Sequence, residues 1–343
     1  MTTTQTISSV PFDLRYTLPP VEDICDTTDE IRDKQEKIRQ LCRERSAIVL
    51  AHHYQRSEVQ EIADFTGDSL GLCQKAAATG SKLIVFCGVH FMAETAAILC
   101  PDKTVLLPDL RAGCSLAASV TADELRAWKA RFPEAVVIAY INTSAAVKAE
   151  SDYCCTSANA AKVVRAVPAD RTILFLPDKF LAQVVARQTG RSNIIAYPGY
   201  CHVHRMIRAH DVADMMEEHP DIELLLHPEC GCVSSCMAKA LDGSLPANRT
   251  LFLSTEGMLR HINESPAKEF AVGTELGILH GLRKQHADRV FYPVNPDAVC
   301  AFMKTITLDR IIGSLQDLAP QVHVPAEIAA RARTAIDRML QLA

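Results

Sequence analysis

The sequence predicts an α/β fold of three similar three-layer αβα sandwich domains, whose parallel sheets surround one central active site with pseudo-threefold symmetry. Three observations support this prediction. Strand-like and helix-like segments alternate, four kinds of segment recur three times in the same order, and a hydroxyl residue and a cysteine keep a nearly constant spacing. Alternation favours parallel sheets with helices on both faces, and recurrence at a fixed period indicates repeated units.

Each predicted repeat opens with a β-branched run that ends in polar residues. These runs are AIVLAHHYQ (47–55), AVVIAYINTS (135–144) and IELLLHPEC (222–230). Each is typical of a buried parallel strand with functional groups at its carboxyl end. A hydroxyl residue that opens a helix follows, at Ser69, Ser157 and Thr255, because such oxygens satisfy the unpaired amides of a first helical turn.

Two further segments complete each repeat. A strand followed by a helix is predicted over 83–99, 172–188 and 270–285, and a short strand that runs into a cysteine over 104–114, 193–201 and 289–300. The offset from hydroxyl to cysteine is 45 residues from Ser69 to Cys114, 44 from Ser157 to Cys201 and 45 from Thr255 to Cys300. The alternative is that the recurrence is only the loose alternation of strands and helices that any α/β chain shows. The matched spacing of hydroxyl and cysteine argues against it.

The recurrences divide the chain into an N-terminal segment (1–45), three αβα repeats (46–120, 121–205 and 206–310) and a C-terminal helical segment (311–343). The length of 343 residues alone would suggest about two domains. The third repeat carries an insertion near 231–248. Helices are predicted at 29–45 and, beginning with Pro325, at 325–342, and both are expected to pack on the repeats.

Composition excludes several classes of protein. The net charge of −5, from 36 basic and 41 acidic residues, predicts no nucleic-acid partner. No basic leader and no apolar stretch of 18 residues occur, so neither a signal peptide nor a membrane span is expected. Thirteen cysteines are an odd number and too few for a disulfide framework. They predict reduced thiols in a cytoplasmic protein.

The carboxyl ends of the predicted strands indicate where the chemistry lies, because ligands of open α/β sheets bind there. Three repeats that face one another would line one cavity with Cys114, Cys201, Cys300, His52, Tyr54, Asp68, Ser69, Tyr140, Asn142, Ser157, His202, His227, Glu229 and Thr255. One thiolate from each repeat suits zinc or an iron–sulfur cluster. Three ligands on a [4Fe–4S] cluster would leave one iron open, which favours Lewis-acid chemistry.

The remaining cysteines have other interpretations. Seven scattered thiols are expected to pack as small hydrophobic side chains: Cys25, Cys42, Cys73, Cys87, Cys100, Cys154 and Cys155. Cys230, Cys232 and Cys236 form C-x-C-x3-C inside the insertion, a spacing that matches no common zinc or ferredoxin pattern. We interpret them as a loop of thiols, with redox sensitivity as one possibility and metal ligation as the less favoured one.

A series of motifs between about 45 and 340 carries a family resemblance. In chain order they are AHHYQ, EVQEIADFTGDSL, FCGVHFMAETAAIL, AGCS, INTSAAVKAESD, TSANA, PDKFLAQ, GYCHVH, HPEC and LSTEGM. Together they resemble quinolinate synthase. The resemblance implies an enzyme that condenses iminosuccinate with dihydroxyacetone phosphate and releases quinolinate, phosphate and water on the route to NAD. It also implies a possible transient contact with the upstream aspartate oxidase or dehydrogenase.

The resemblance further implies roles for single residues. Cys114, Cys201 and Cys300 would hold a [4Fe–4S] cluster, and Tyr54, His227 and Glu229 would act in catalysis. Substrate would contact His52, Ser69, Tyr140, Asn142, Ser157, His227, Glu229 and Thr255. Some members carry Cys-x-x-Cys-x-x-Cys at the third ligand. Cys300 stands alone here, which removes that ambiguity and any regulatory disulfide of that kind.

Glu229 is hypothesised to be a base that moves protons at the condensed intermediate, while Tyr54 assists dehydration or closure. Hydroxyls, Asn, His and helix N-termini would recognise the dicarboxylate, because no Arg lies at the polar strand ends. His52 and His53 are neighbours on a strand and point to opposite faces, with His52 expected in the cavity. Two alternatives stay open: a different hydro-lyase with a three-cysteine cluster, and a non-enzymatic zinc or redox-sensing protein.

Overall fold

Three parallel four-stranded sheets form the frame of the protein, as described for residues 28–342 by a computed structural model. The strands of the first sheet are β1 (Ala47–His52), β2 (Phe65–Gly67), β3 (Leu83–Cys87) and β4 (Thr104–Leu106). Those of the second are β5 (Val136–Tyr140), β6 (Tyr153–Cys155), β7 (Ile173–Leu176) and β8 (Ile194–Ala196). Those of the third are β9 (Glu223–Leu226), β10 (Thr250–Phe252), β11 (Glu269–Gly273) and β12 (Val290–Pro293).

The three sheets share one topology. Their strand orders are β2-β1-β3-β4, β6-β5-β7-β8 and β10-β9-β11-β12, so each repeat places its first strand between its second and third. All pairings within these sheets are parallel. This repetition confirms the predicted α/β class with three αβα units. The predicted domain boundaries stay predictions, and the one at 205/206 falls inside a short helix.

Helices cover the faces of the sheets. They are α1 (Asp29–Arg45), α2 (Ser57–Gln60), α3 (Ser69–Ala78), α4 (His90–Leu99), α5 (Ala122–Ala130), α6 (Ala145–Ala149), α7 (Ala160–Ala166), α8 (Lys179–Thr189), α9 (His202–Met206), α10 (Ala209–Glu218), α11 (Val233–Asp242), α12 (Thr255–Glu264), α13 (Ile278–Gln285), α14 (Leu308–Asp317) and α15 (Ala326–Leu340). Two 3₁₀ segments, Ala117–Ser119 and Met303–Thr305, follow cysteines.

The two terminal helices occur where the sequence predicts them. Helix α1 begins after Thr28, whose side chain accepts a hydrogen bond from the backbone N–H of Ile31 at 3.2 Å. Helix α15 begins directly after Pro325, a residue suited to a helix start because its missing N–H would be unpaired there anyway. Helix α1 packs on α14 and β1, and α15 packs on α6 and β6, so both lie on the repeats as expected.

The central strands are buried on both faces, which explains their continuous apolar sequences. Leu50, Phe86, Phe175 and Leu225 are fully buried, and the largest cluster of apolar side chains runs through all three repeats. No helix among residues 28–342 is both long enough and apolar enough to span a bilayer. The core therefore fixes the three sheets together and leaves their polar strand ends to meet.

The prediction that hydroxyl residues open and cap three helices is only partly correct. Asp68 caps α3 by accepting from the N–H of Gly71 at 2.7 Å, and Ser254 caps α12 by accepting from that of Gly257 at 3.1 Å. Ser69 and Thr255 are the first helical residues instead. Ser157 precedes α7 by three residues. The residue before each predicted position provides the cap in α3 and α12, which leaves the Ser69 and Thr255 side chains for the cavity.

The insertion of the third repeat is a longer crossover between its first two strands. Helix α11 occupies ten residues there, where the equivalent helices α2 and α6 have four and five. Cys232 is the residue that precedes α11, and Cys236 lies within it. The prediction of a loop of thiols is therefore only partly correct, because Cys230 and Cys232 lie in the turn before α11 and Cys236 lies in the helix.

Candidate active site

One cavity of about 760 Å³, counted to its open mouth, collects the residues singled out from the sequence. Every predicted catalytic, substrate-binding and metal-binding residue lines it: His52, Tyr54, Ser69, Cys114, Tyr140, Asn142, Ser157, Cys201, His227, Glu229, Thr255 and Cys300. Asp68 and His202 line it as well. All three repeats contribute to its wall, while the role of each residue stays a prediction.

Equivalent triplets lie at the carboxyl end of the first strand of each repeat: His52-His53-Tyr54, Tyr140-Ile141-Asn142 and His227-Pro228-Glu229. The first and third residue of each triplet line the cavity, and Ile141 lines it as well. Alternation along extended backbone produces this pattern, since side chains two residues apart share a face. His53 is buried away from the cavity.

Two histidines at these strand ends are held in the same way. Nδ1 of His52 accepts a hydrogen bond from the backbone N–H of Tyr54 at 3.1 Å, and Nδ1 of His227 accepts from that of Glu229 at 3.4 Å. Burial lowers the pKa of His227 to about 3 and that of His52 well below its ordinary value. Both rings are therefore neutral, and each carries its proton on Nε2 as a donor.

Both carboxylate oxygens of Glu229 have polar partners in the cavity. Its Oε1 accepts a hydrogen bond from the Tyr140 hydroxyl at 2.5 Å, and its Oε2 lies 3.2 Å from Nδ1 of His204. That second contact is an ion pair rather than a well-aligned hydrogen bond. Burial opposes ionisation of Glu229, but the charge of His204 prevails and lowers its pKa to about 2. Glu229 is thus a carboxylate at neutral pH.

His204 completes this pair, and the sequence reasoning missed it. Although burial disfavours a charged ring, the interactions with Cys201 and with the Glu229 carboxylate hold the pKa of His204 well above its ordinary value. His202, which the sequence reasoning placed in the cavity, has Nδ1 2.7 Å from Oγ of Ser115. The available signal was spacing: His204 lies three residues after Cys201 on a helix start, hence on nearly the same side.

Tyr54 reaches into the cavity from the first repeat and is held by two threonines. Its hydroxyl lies 2.9 Å from Oγ1 of Thr255 and 2.5 Å from Oγ1 of Thr274. Burial raises the pKa of Tyr54 far above its ordinary value, so the phenol keeps its proton. Thr274 does not line the cavity, and no sequence motif singled it out.

The three predicted metal ligands are unpaired cysteines, one from each repeat. Burial raises the pKa of Cys114 to about 12 and those of Cys201 and Cys300 to about 11. The charges of Cys300 and Glu229 also raise the pKa of Cys114. Thiols with pKa values this high are protonated at neutral pH. They become thiolates when a bound metal supplies positive charge. Among the described cysteines, these three are the ones that line the cavity.

Two further contacts fit a metal centre at these thiols. The backbone N–H of Ala117 points to Sγ of Cys114 at 3.5 Å, and hydrogen bonds of this kind tune iron–sulfur clusters. Ligand atoms of Cys201, His204 and Glu229 lie within 4.8 Å of one another. The donor set at the cavity is thus soft thiolates with an imidazole and a carboxylate beside them, which suits iron or zinc.

A buried ion pair between Glu275 and Lys304 contacts the backbone of Cys300. Oε1 of Glu275 accepts from the backbone N–H of Cys300 at 3.0 Å and lies 3.2 Å from Nζ of Lys304. The same Nζ donates to the carbonyl of Tyr54 at 2.6 Å. This pair joins the third repeat to the first, and no sequence motif signals it because its members are far apart in the chain.

The wall of the cavity contains no Lys or Arg among the described residues. Its polar groups are hydroxyls, imidazoles, an amide and the carboxyl groups of Asp68, Glu229 and Glu275. An anionic ligand would therefore be bound by hydrogen-bond donors and by any metal at the cysteines. That no basic patch recognises the substrate stays a prediction.

The other described cysteines lie outside the cavity wall. Cys230, Cys232 and Cys236 are buried in an apolar cluster of the third repeat, and Cys230 donates through Sγ to the carbonyl of Gly273 at 3.1 Å. Cys73, Cys87, Cys100, Cys154 and Cys155 are buried, and Cys42 is half-buried, as expected of packing residues. Cys25 lies outside the described residues.

Three repeated αβα units around a cavity that one cysteine from each unit lines define an α/β protein with a candidate three-thiolate site. Sequence comparison specifies the family. A sequence model of the quinolinate synthetase A protein family (NadA) matches residues 36–341, and this chain belongs to that family. The resemblance inferred from the motifs is thereby confirmed.

Curated relatives agree over most of the chain. A quinolinate synthase of Thermus thermophilus is 53% identical over 305 residues, covering 89% of this chain and 96% of the relative. That of Mycobacterium sp. strain KMS is 51% identical over 306 residues, covering 89% and 91%. That of Mycobacterium tuberculosis is 50% identical over 306 residues, covering 89% and 88%.

Proposed function

We propose that this chain condenses iminosuccinate with dihydroxyacetone phosphate and releases quinolinate, phosphate and water, as an enzyme of NAD biosynthesis. The observation that carries the proposal is the meeting of all the predicted site residues in one cavity. Family membership supports the same activity, since the curated relatives at 50–53% identity are named quinolinate synthase.

The three cysteines would hold a [4Fe–4S] cluster in this proposal. Cys114, Cys201 and Cys300 are unpaired, come from separate repeats and line the same wall. When bound, a cluster with three protein ligands supplies an open iron that acts as a Lewis acid toward a substrate oxygen. The twelve described cysteines are all free thiols, which favours the reducing cytoplasm as the compartment.

Substrate recognition would rely on neutral hydrogen-bond donors. His52 and His227 present Nε2–H, because their Nδ1 atoms accept backbone hydrogen bonds. Oγ of Ser157 lies 3.4 Å from Nε2 of His227, so the two are within reach of one carboxylate oxygen. Ser69 and Thr255 add hydroxyls at the N-termini of α3 and α12, where exposed amides favour anions.

Proton transfer would fall to Glu229 and Tyr54. Glu229 is ionised and can accept a proton, while Tyr54 keeps its proton and can donate one. A carboxylate with a pKa near 2 is a weak base when it is considered alone. His204 and Tyr140 contact the two oxygens of Glu229, so the three groups would titrate together, and the proton would be accepted by this coupled set. This arrangement gives the cavity an acceptor and a donor on walls from different repeats.

The imine substrate is unstable, so direct delivery through a transient contact with the upstream aspartate oxidase or dehydrogenase would protect it. That contact, like the absence of a nucleic-acid partner, stays a prediction from the sequence and its net charge of −5.

Anaerobic purification and assay test the proposed function. We expect a brown protein with about four irons and four sulfides per chain, which forms quinolinate only when both iminosuccinate and dihydroxyacetone phosphate are present. A colourless zinc protein would overturn the proposal in favour of a sensor. Turnover of a hydroxy acid without the triose phosphate would instead identify a different hydro-lyase.

A further inference from the structure

A tight corner of the chain (140–145) carries Asn142 into the cavity. Within it, Thr143 donates through its backbone N–H to the carbonyl of Ile141 at 2.8 Å and through Oγ1 to the carbonyl of Tyr140 at 3.0 Å. Asn142 lines the cavity, and its Oδ1 atom is buried without a hydrogen-bond partner among residues 28–342. Because no described group holds this oxygen, the direction of the Asn142 side chain depends on the backbone of the corner.

Two buried residues with charged side chains hold this corner. Lys148, on α6, donates through Nζ to the carbonyl of Thr143. Glu94, on α4 of the first repeat, accepts through Oε2 from the backbone N–H of Ala145 at 3.0 Å. Together they hold the two peptide groups on either side of Ser144.

We propose that Lys148 and Glu94 are positioning residues that orient the Asn142 side chain toward a dicarboxylate in the cavity. The inference rests on the proposed function, because it takes Asn142 as a substrate contact. Neither Lys148 nor Glu94 lines the cavity. Both residues therefore act only through the corner that they hold.

The burial of these two side chains supports a specific role. Lysine and glutamate are seldom buried this completely unless they are paired. Lys148 is fully buried and Glu94 is 6% exposed, yet no ion pair of Lys148 is found in the described part of the chain. Oε1 of Glu94 lies 3.9 Å from Nδ1 of His90, and Nζ of Lys148 lies 5.4 Å from the centre of the Phe91 ring. The short polar contacts of both side chains are those with the corner.

Loss of either contact would release the corner. Without the Lys148 amine, the carbonyl of Thr143 would be a buried acceptor with no donor, which costs free energy until the backbone moves toward another donor. The contact of Glu94 joins two repeats, so it fixes Asn142 relative to the cavity wall that the first repeat contributes. A small displacement of a binding group can weaken its contact with a ligand sharply.

Substitutions at Lys148 and Asn142 test whether one residue acts through the other. K148M replaces the amine by an apolar side chain of similar length, and N142A removes the proposed contact. K162M is the matched control, because Lys162 is an exposed lysine on α7 of the same repeat. The dissociation constant of succinate, an unreactive dicarboxylate, is measured by calorimetry on cluster-loaded protein for these variants and for the double variant N142A/K148M. Iron content is measured in parallel.

We expect K148M and N142A each to raise the dissociation constant about 10-fold, the equivalent of one hydrogen bond to a charged group. The double variant should bind within about threefold of N142A alone, because Lys148 has no effect once the side chain that it orients is gone. K162M should bind like wild type. Unchanged binding by K148M would overturn the inference. So would a double variant that binds about 100-fold more weakly than wild type, since additive losses mean that the two residues act independently.

Glu94 supplies a second test, which also decides the matter if K148M does not fold. E94Q keeps an oxygen that can accept from the backbone of Ala145, and it should bind succinate within about threefold of wild type. E94M lacks that acceptor and should lose about as much affinity as K148M. Equal affinities of E94Q and E94M would contradict a role for this contact. A loss of iron in proportion to the loss of binding would also contradict the inference, because it indicates general disorder of the site.

These outcomes are distinct from a failure of the proposed function. If the wild-type enzyme with its full complement of iron formed no quinolinate but the succinate affinities followed the expected order, the proposed reaction would fail and the role of Lys148 and Glu94 would stand. If the wild type bound no succinate, the inference itself would fail, because it takes the cavity as a dicarboxylate site.

Discussion

Two groups of three cysteines occupy contrasting surroundings. Cys114, Cys201 and Cys300 are half-buried, come from three repeats and line the cavity. Cys230, Cys232 and Cys236 are fully buried, come from one short segment and pack in the core of the third repeat. The first group meets only when the fold is complete, whereas the second is local in sequence. Closeness in the chain is therefore a poor guide here to which thiols share a functional surface.

The same contrast holds for neighbours in the HPEC motif. Glu229 projects into the cavity and contacts residues from elsewhere in the chain, while Cys230, the next residue, points into the core. One step along the backbone separates the two environments. Paired substitutions, one at a cavity-facing residue and one at a core-facing residue of the same type or the same motif, therefore test this distinction.

The largest expected effect is on iron content. Serine at Cys114, Cys201 or Cys300 should remove the brown colour and reduce iron and sulfide to a small fraction of wild type, because a hydroxyl is a far poorer ligand than a thiolate for an iron–sulfur cluster. Serine at Cys230, Cys232 or Cys236 should leave both unchanged. Iron and sulfide analysis of anaerobically purified variants checks this. A variant at Cys232 that loses its iron would remove the distinction between the two groups.

Most of the fold and most of the cavity could be predicted from the repeat pattern of the sequence. Buried strands with polar ends predict where β1, β5 and β9 place their functional groups, and the matched hydroxyl-to-cysteine spacing predicts which thiols share a wall. These signals are local or periodic, so one sequence suffices to find them. The helix caps Asp68 and Ser254 were missed because capping by the preceding residue leaves the same pattern in the sequence.

Contacts between repeats could not be predicted in this way. Thr274 lies 220 residues from Tyr54 and 70 from His204, and its hydroxyl bonds depend on how all three repeats meet. Lys304 pairs with Glu275 of its own repeat, but it also donates to the carbonyl of Tyr54 in the first repeat, and that contact depends on how the repeats pack. A threonine or lysine at such a place has no periodic signature, since the pattern of its own repeat does not show a partner in another one.

The second comparison concerns Glu229 and Cys230. E229Q should lower kcat by roughly 100-fold or more, because the amide cannot accept a proton and loses the ion pair with His204. C230S, the matched control one residue on, should keep kcat within about threefold. Steady-state kinetics on variants with equal iron content separates them. Full turnover by E229Q with its cluster intact would rule out Glu229 as the base.

The smallest expected effect compares the adjacent histidines of the first triplet. His52 lines the cavity, whereas His53 is buried in the core, and burial lowers the pKa of His53 to about 4. The unfolded chain, with a histidine pKa of about 6.5, then binds more protons than the folded chain below neutral pH. The free energy of unfolding should therefore fall as the pH falls through about 6.5 toward about 4. His53 accounts for roughly 0.7 kcal/mol of this loss between about pH 7 and pH 6.

H53Q removes the titrating ring and should flatten the pH dependence of urea unfolding by that amount. H210Q is the control, because the His210 side chain is 64% exposed on the surface, and it should leave the pH dependence as in wild type. Both are measured on cluster-free protein, so that loss of iron at low pH does not contribute. An equal slope in H53Q and wild type would mean that His53 takes up its proton in the folded core, and that the two faces of the β1 strand end do not differ as the structure indicates.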